Sequence, residues 1–295
     1  MDSLAGRLLA DEDGRIRSGW KALGFALLHN LLASLAALVH PAHPAASPDW
    51  LPHEWLSGAV VLLAAWLCLR AEGAGFGSMG LDWSRRRAAH LAGGAALGFL
   101  LMLLTALVGR AFGAFHWVRT PGGGSGGLLL GLWLYAAVAF HEELLFRGYA
   151  FFRLKDGAGA LPAILATSAL FIAAHWNNPG MSGATRAWAA VNIGLAGLLL
   201  GLCAWRSGGL ALPMGLHLGW NWTQGSLLGF GVSGTEAKGY LTPVFDGRPD
   251  WLSGNTFGLE ASLPCALLCA AACVAVASWP RRHVPTTSAP QGEAA

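Results

Sequence analysis

GLLLGLWLYAAVAFHEELLFR occupies residues 127–147, and its reading decides the fold class. The run is apolar for most of its length, and a helix needs about 20 such residues to cross a bilayer. Near its end stand two adjacent carboxylates, Glu142 and Glu143, and then Arg147. They follow too much apolar sequence to be assigned to a loop. Ionisable groups inside a span are costly and mark functional positions.

The rest of the chain agrees with a membrane setting. It is 54% hydrophobic and 12% charged, whereas soluble domains carry roughly 25% charged residues. So little charge cannot cover a water-facing surface, and apolar surface must face lipid. Further apolar runs at 19–39, 53–70, 88–109, 159–176, 187–206, 209–230 and 258–279 predict, with 127–147, an all-α polytopic bundle of about eight transmembrane helices. The run at 127–147 is expected to continue as helix through Phe151 and Leu154. The first run follows Asp11, Glu12, Asp13, Arg15 and Arg17 and is long enough to span, so it reads as a helix rather than a signal peptide.

Basic residues set the orientation. Arg7, Arg15, Arg17, Lys21, Arg70, Arg85, Arg86, Arg87, Arg147, Arg153, Lys155, Arg206, Arg281 and Arg282 fall on one side. Arg110, Arg119, Arg186, Lys238 and Arg248 fall on the other, completing the chain's 19, and the bias holds if Arg147 is instead assigned to the membrane interior. Both termini are therefore expected in the cytoplasm. The boundaries follow: a cytoplasmic segment over 1–18, N-terminal spans over 19–126, a helical core over 127–230, an extracytoplasmic loop over 231–257, and a last span with a disordered tail over 258–295. Arginine outnumbers lysine, and Ala, Gly and Trp are abundant, which points to a bacterial inner membrane. No dense basic run is present, so nucleic acid is not an expected partner.

Small-residue pairs at Gly94/Gly98, Gly197/Gly201, Gly215/Gly219 and Gly225/Gly229 predict close helix approach. Cys265, Cys269 and Cys273 share one helix face, and with Cys68 and Cys203 they read as packing residues. Pro121 to Gly127 lacks the Gly-Lys-Ser/Thr ending of a phosphate loop and reads as a linker.

The polar groups in the spans divide by helical spacing. Glu143 and Arg147 stand at i and i+4, acid first, the favoured order for an ion pair. Glu142 lies about 100° round the helix and has no such local partner. A carboxylate kept from a cation in an apolar setting suits general acid–base work. His175 ends the run Phe171-Ile-Ala-Ala-His175, while His217 and Asn221 share one face of a later span. Counted from the cytoplasmic side, Glu142 lies roughly 20 Å deep, His175 roughly 24 Å and His217 roughly 12–16 Å. The three meet only with some tilt or kink. A carboxylate and two imidazoles around water are the ingredients of general-base or metal-assisted hydrolysis, and Asn221 is a donor for an oxyanion. His141-Glu142 is not a zincin His-Glu-x-x-His motif, because position 145 is Leu.

Glu142-Glu143-x-x-x-Arg147, Phe171-x-x-x-His175 and His217-x-x-x-Asn221, in that order and in separate spans, resemble the CPBP family of intramembrane proteases. That family includes the type II CAAX prenyl endopeptidases and bacteriocin-processing (Abi) proteins. The resemblance covers about 142–221 and implies a CPBP-type catalytic core within 127–230. It implies peptide-bond hydrolysis in the membrane, with Glu142 and His175 activating water. His217 and Asn221 would hold a metal or the oxyanion, and Glu143 and Arg147 would hold the helix. A divalent metal on His175 and His217, zinc first, is the cofactor it implies. A metal-free glutamate mechanism fits the same residues. The implied partners are membrane lipid and a membrane-associated peptide or protein substrate. Two other functions use the same polar cluster. A transporter would use it as a proton relay, but no internal repeat of the inverted-repeat kind is visible. A scaffold would use it only to staple helices.

Overall fold

The computed structural model describes residues 16–40 and 50–279, preceded by positions 9 and 14 singly. The tail expected to be disordered and most of the expected N-terminal cytoplasmic segment lie outside the described residues. The protein is an all-α membrane helix bundle. Its helices are α1 (Ser18–Val39), α2 (Trp50–Ala71), α3 (Arg85–Ala111), α4 (Ser125–Arg147), α5 (Tyr149–Ala158), α6 (Ala160–His175), α7 (Gly183–Ser207), α8 (Ala211–Asn221) and α9 (Leu263–Ala277). Among the described residues, five stretches are long and apolar enough to cross a bilayer: α1, His53–Ala71 of α2, α3, Ser125–Ala158 and α7. The helices α6 and α9 are apolar but shorter, at 16 and 15 residues.

Three expected spans differ in detail. The fourth does not run unbroken past Arg147: Gly148, at φ −80° and ψ −130°, leaves helical geometry, and α5 starts afresh. A Cβ there would crowd the Leu144 carbonyl carbon at 3.0 Å. The seventh is a helix of only 11 residues, α8, which widens into a π-turn over Trp222–Leu227. The last becomes α-helical only at Leu263. The preceding residues form a 3-10 turn, Leu259–Ala261, and an N-cap, Ser262, whose Oγ accepts from the Cys265 N–H at 3.3 Å. Eight is thus a loose count.

Glycine spacing fixes the central helix pair. On α3, a Cβ at Gly94 would lie 2.8 Å from the Leu216 nitrogen, and one at Gly98 would lie 2.6 Å from the Trp220 nitrogen. On α8, a Cβ at Gly215 would lie 3.0 Å from the Ala95 nitrogen, and one at Gly219 would lie 2.9 Å from the Ala95 Cα. Backbone meets backbone, as small residues allow where no water is available to drive association. Gly197 and Gly201 of α7 likewise face Ser168 and Ile164 of α6. Gly225/Gly229 does not join two helices: Gly225 packs on the Tyr135 hydroxyl, and Gly229, at φ +75°, packs on the Leu241 carbonyl.

Arginine-bearing ends gather at one end of the bundle. Arg87 donates to the Ser207 and Gly208 carbonyls at 3.1 and 3.0 Å, and Arg206 to the Trp279 carbonyl at 3.2 Å. Glu72 receives Lys21 at 3.4 Å and Arg153 at 3.3 Å, and also bonds the Tyr149 hydroxyl. At the other end, β1 (Phe115–Arg119) pairs antiparallel with β2 (Leu241–Phe245). Phe115 anchors the ribbon against Phe230, with ring centroids 4.8 Å apart. All five cysteines are free, and the Cys273 thiol meets the Leu195 carbonyl of α7 at 3.6 Å.

Candidate active site

The helix α4 contributes Glu142, Glu143 and Arg147. Arg147 is wholly buried, and its Nη1 lies 3.1 Å from Oε1 of equally buried Glu143. Its Nη2 donates to the Gly197 carbonyl at 3.3 Å. Because Gly197 has no side chain, α7 can lie against α6 and leave this carbonyl within the guanidinium's reach. The guanidinium also stacks 4.4 Å from the Phe171 ring centroid. One apolar ring of the second motif thus covers the cation of the first, a desolvated cation–π contact.

Glu143 has a second partner that spacing on its own helix did not reveal. Its Oε1 lies 2.9 Å from His217 Nδ1. A carboxylate accepts only, so the bond requires a proton on Nδ1 and turns Nε2 the other way. His175 is oriented in the same manner by a different acceptor: its Nδ1 donates to the Phe171 carbonyl at 2.8 Å, four residues back on α6. Both Nε2 atoms then face Glu142, and each lies 3.9 Å from its Oε2. That is too far for a direct hydrogen bond and within reach of a shared water.

Three acceptors therefore converge: a carboxylate oxygen and two imidazole nitrogens with their lone pairs inward. The Glu142 Oε2 is buried and has no protein hydrogen-bond partner. Such a trio repels itself unless a group with protons, or a cation, lies among it. Asn221, one turn beyond His217, is 5% exposed and lines the same cavity. The π-turn begins directly after it, a departure from α-geometry frequent at functional sites.

The cavity encloses about 800 Å³, within the usual range for a ligand site. It follows one face of α4 from Gly127 through Leu134 and Val138 to Leu145, and ends under the 232–238 loop. Six expected site residues thus fall into two sets. Glu142, His175, His217 and Asn221 line the cavity, while Glu143 and Arg147 are sealed behind them. Spacing did not reveal that Glu143 reaches His217, nor that His141 Nδ1 pairs with Glu54 of α2 at 3.1 Å. Both are contacts between distant spans.

The donor types suit a divalent metal, since two imidazoles and a carboxylate form a known catalytic zinc set. The spacing does not close round one ion: among the described residues no group of three His, Cys, Asp or Glu side chains is placed to hold a metal.

No curated protein and no solved structure matches the chain. Residues 124–223, the stretch that carries all six of these side chains, match the family model for Rce1-like type II CAAX prenyl endopeptidases, in keeping with the CPBP resemblance of the motifs.

Proposed function

We propose that this chain is an intramembrane endopeptidase that cleaves a membrane-associated peptide or protein with a water activated by Glu142. The convergence of Glu142 Oε2 with two inward-turned Nε2 atoms, at 3.9 Å each, carries the proposal. Water donates one proton toward Glu142, and His175 holds its orientation. The water oxygen adds to the scissile carbonyl carbon, and the Glu142 carboxylate takes the proton. Charge develops on the former carbonyl oxygen, where the Asn221 amide donates and His217, once protonated at Nε2 with Glu143 as its counter-charge, donates the second contact. The C–N bond then breaks, and Glu142 returns the proton to the departing amine. A buried site suits this chemistry, because charge–dipole contacts strengthen as water is excluded.

A divalent metal, zinc first, would need the His175 and His217 side chains to close in round it, and would then supply Lewis-acid polarisation of water or carbonyl.

The test is cleavage of a membrane-peptide library by purified protein in detergent, with metal content measured on the same sample. Cleavage that vanishes in Glu142→Gln supports the proposal. Products unchanged by that substitution, or no cleavage by a folded wild-type chain across the library, count against it.

A further inference from the structure

Outside the matched segment, a second buried carboxylate lines the same cavity. Glu260 belongs to the 3-10 turn ahead of α9 and is 6% exposed. Its Oε2 accepts from the Trp220 indole N–H at 3.3 Å, and its Oε1 from the Ser233 backbone N–H. Both donors are neutral, and among the described residues no Lys, Arg or His stands within ion-pair distance of it. Burying a carboxylate without a cation is costly. Inside a membrane bundle such a group is a functional candidate by default.

A second acceptor lines the same cavity. Asn192 of α7 is fully buried on the cavity wall. Its Nδ2 donates to the Trp188 and Ser262 carbonyls, both at 3.0 Å, and Ser262 is only two residues beyond Glu260. The Asn192 Oδ1 is left buried without a partner. The one Lys or Arg on the wall, Lys238, is exposed. No Lys or Arg among the described residues thus faces this pair of acceptors, and the ionisable group whose field favours the Glu260 charge is His175, which sits at the Glu142 site.

We infer that Glu260 and Asn192 form a substrate subsite for a protonated amine, either a basic side chain or the amino terminus of the peptide. The ammonium meets the Glu260 charge, and one of its N–H groups donates to Asn192 Oδ1. This rests on the cavity being the peptide site, and it adds a charge preference that the Glu142 chemistry does not itself require.

The experiment reads binding rather than cleavage. Full-length protein carrying Glu142→Gln is titrated in detergent with fluorescent apolar peptides, followed by anisotropy. One lysine is moved along the peptide against a norleucine control, each with a free or acetylated amino terminus. At least one amine-bearing peptide is expected to bind about tenfold tighter than the acetylated norleucine control, as a buried charge-assisted contact implies. Adding Glu260→Gln should erase that difference without lowering the melting temperature. The acetylated lysine peptides and the free-terminus norleucine peptide distinguish the two amine sources. Equal affinity across the set, or a preference that survives Glu260→Gln, overturns the inference. Should Glu260→Gln fail to fold, Glu260→Asp keeps the charge and must keep the preference. An active enzyme without amine preference sinks the subsite alone. A chain that prefers amines but never cleaves sinks the hydrolase proposal alone.

Discussion

Two neighbouring glutamates on α4 have opposite surroundings, and that contrast yields two predictions. Glu142 faces the cavity and two imidazoles. Glu142→Gln keeps the shape but cannot take a proton from water, so cleavage should disappear while the melting temperature holds. Retained cleavage would remove Glu142 from the mechanism. Glu143 is sealed away, and one of its oxygens serves both Arg147 and His217. Glu143→Gln leaves a fully buried guanidinium without its counter-charge, a loss on the order of 3–5 kcal/mol for breaking a buried pair. Thermal unfolding in detergent should show it. Adding Arg147→Met removes the stranded cation and should restore part of the stability. Cleavage should stay well below wild type, because His217 still lacks a charged partner. Full recovery of activity in the double variant would mean that Glu143 acts only through Arg147. The Glu143–Arg147 pair was legible from spacing, since both residues lie on one helix. The Glu143–His217 contact was not, because it joins residues 74 apart whose facing depends on how α4 and α8 pack.

At the scale of elements, the interlock of α3 with α8 sets where His217 and Asn221 point. Gly94 and Gly98 take the α8 backbone, and Gly215 and Gly219 take that of α3. The face of α8 carrying the site is thereby turned to the cavity. Gly98→Val places a branched side chain where a Cβ alone would sit 2.6 Å from the Trp220 nitrogen. Overpacking of this kind typically costs about 1–3 kcal/mol. Both the melting temperature and the cleavage rate should fall. Gly93, one residue before Gly94, has open space where a Cβ would stand, with nothing within 4 Å, so Gly93→Ala is the control and should leave the cleavage rate unchanged and the melting temperature no lower. If the two substitutions behave alike, the glycines are not what seats α8. The spacing announced these close approaches but not their partners. It also gave no sign of the break at Gly148 or of the π-turn after Asn221, which are set by local backbone rather than by hydropathy. The β1–β2 ribbon was missed for a related reason. Its strands are five residues each and lie far apart in the chain, so neither shows a periodicity that stands out beside the long apolar helices.

At the scale of the whole molecule, the two ends of the bundle differ in charge and in access to the cavity. Arg87, Arg153 and Arg206 are tied together at one end through Ser207, Glu72 and Trp279. The cavity instead reaches Gly127 at the start of α4, Asn178 just past α6 and the 232–238 loop, all at the opposite end. The excess of basic residues predicts a cytoplasmic first end, and on that ground we propose that the cavity opens toward the extracytoplasmic side. The prediction is tested by replacing the five native cysteines with alanine and introducing single cysteines at two exposed positions. Trp83, 88% exposed between α2 and α3, reports the arginine end. Gly126, with open space around a Cβ, reports the end where α4 begins. In intact bacterial cells a membrane-impermeant maleimide should label Gly126→Cys, and should label Trp83→Cys only after the membrane is opened. The reverse pattern would put the cavity mouth on the cytoplasmic side, and the substrate would then have to approach from there. It would leave the geometry around Glu142 untouched, since that rests on helix packing and not on which compartment each end faces.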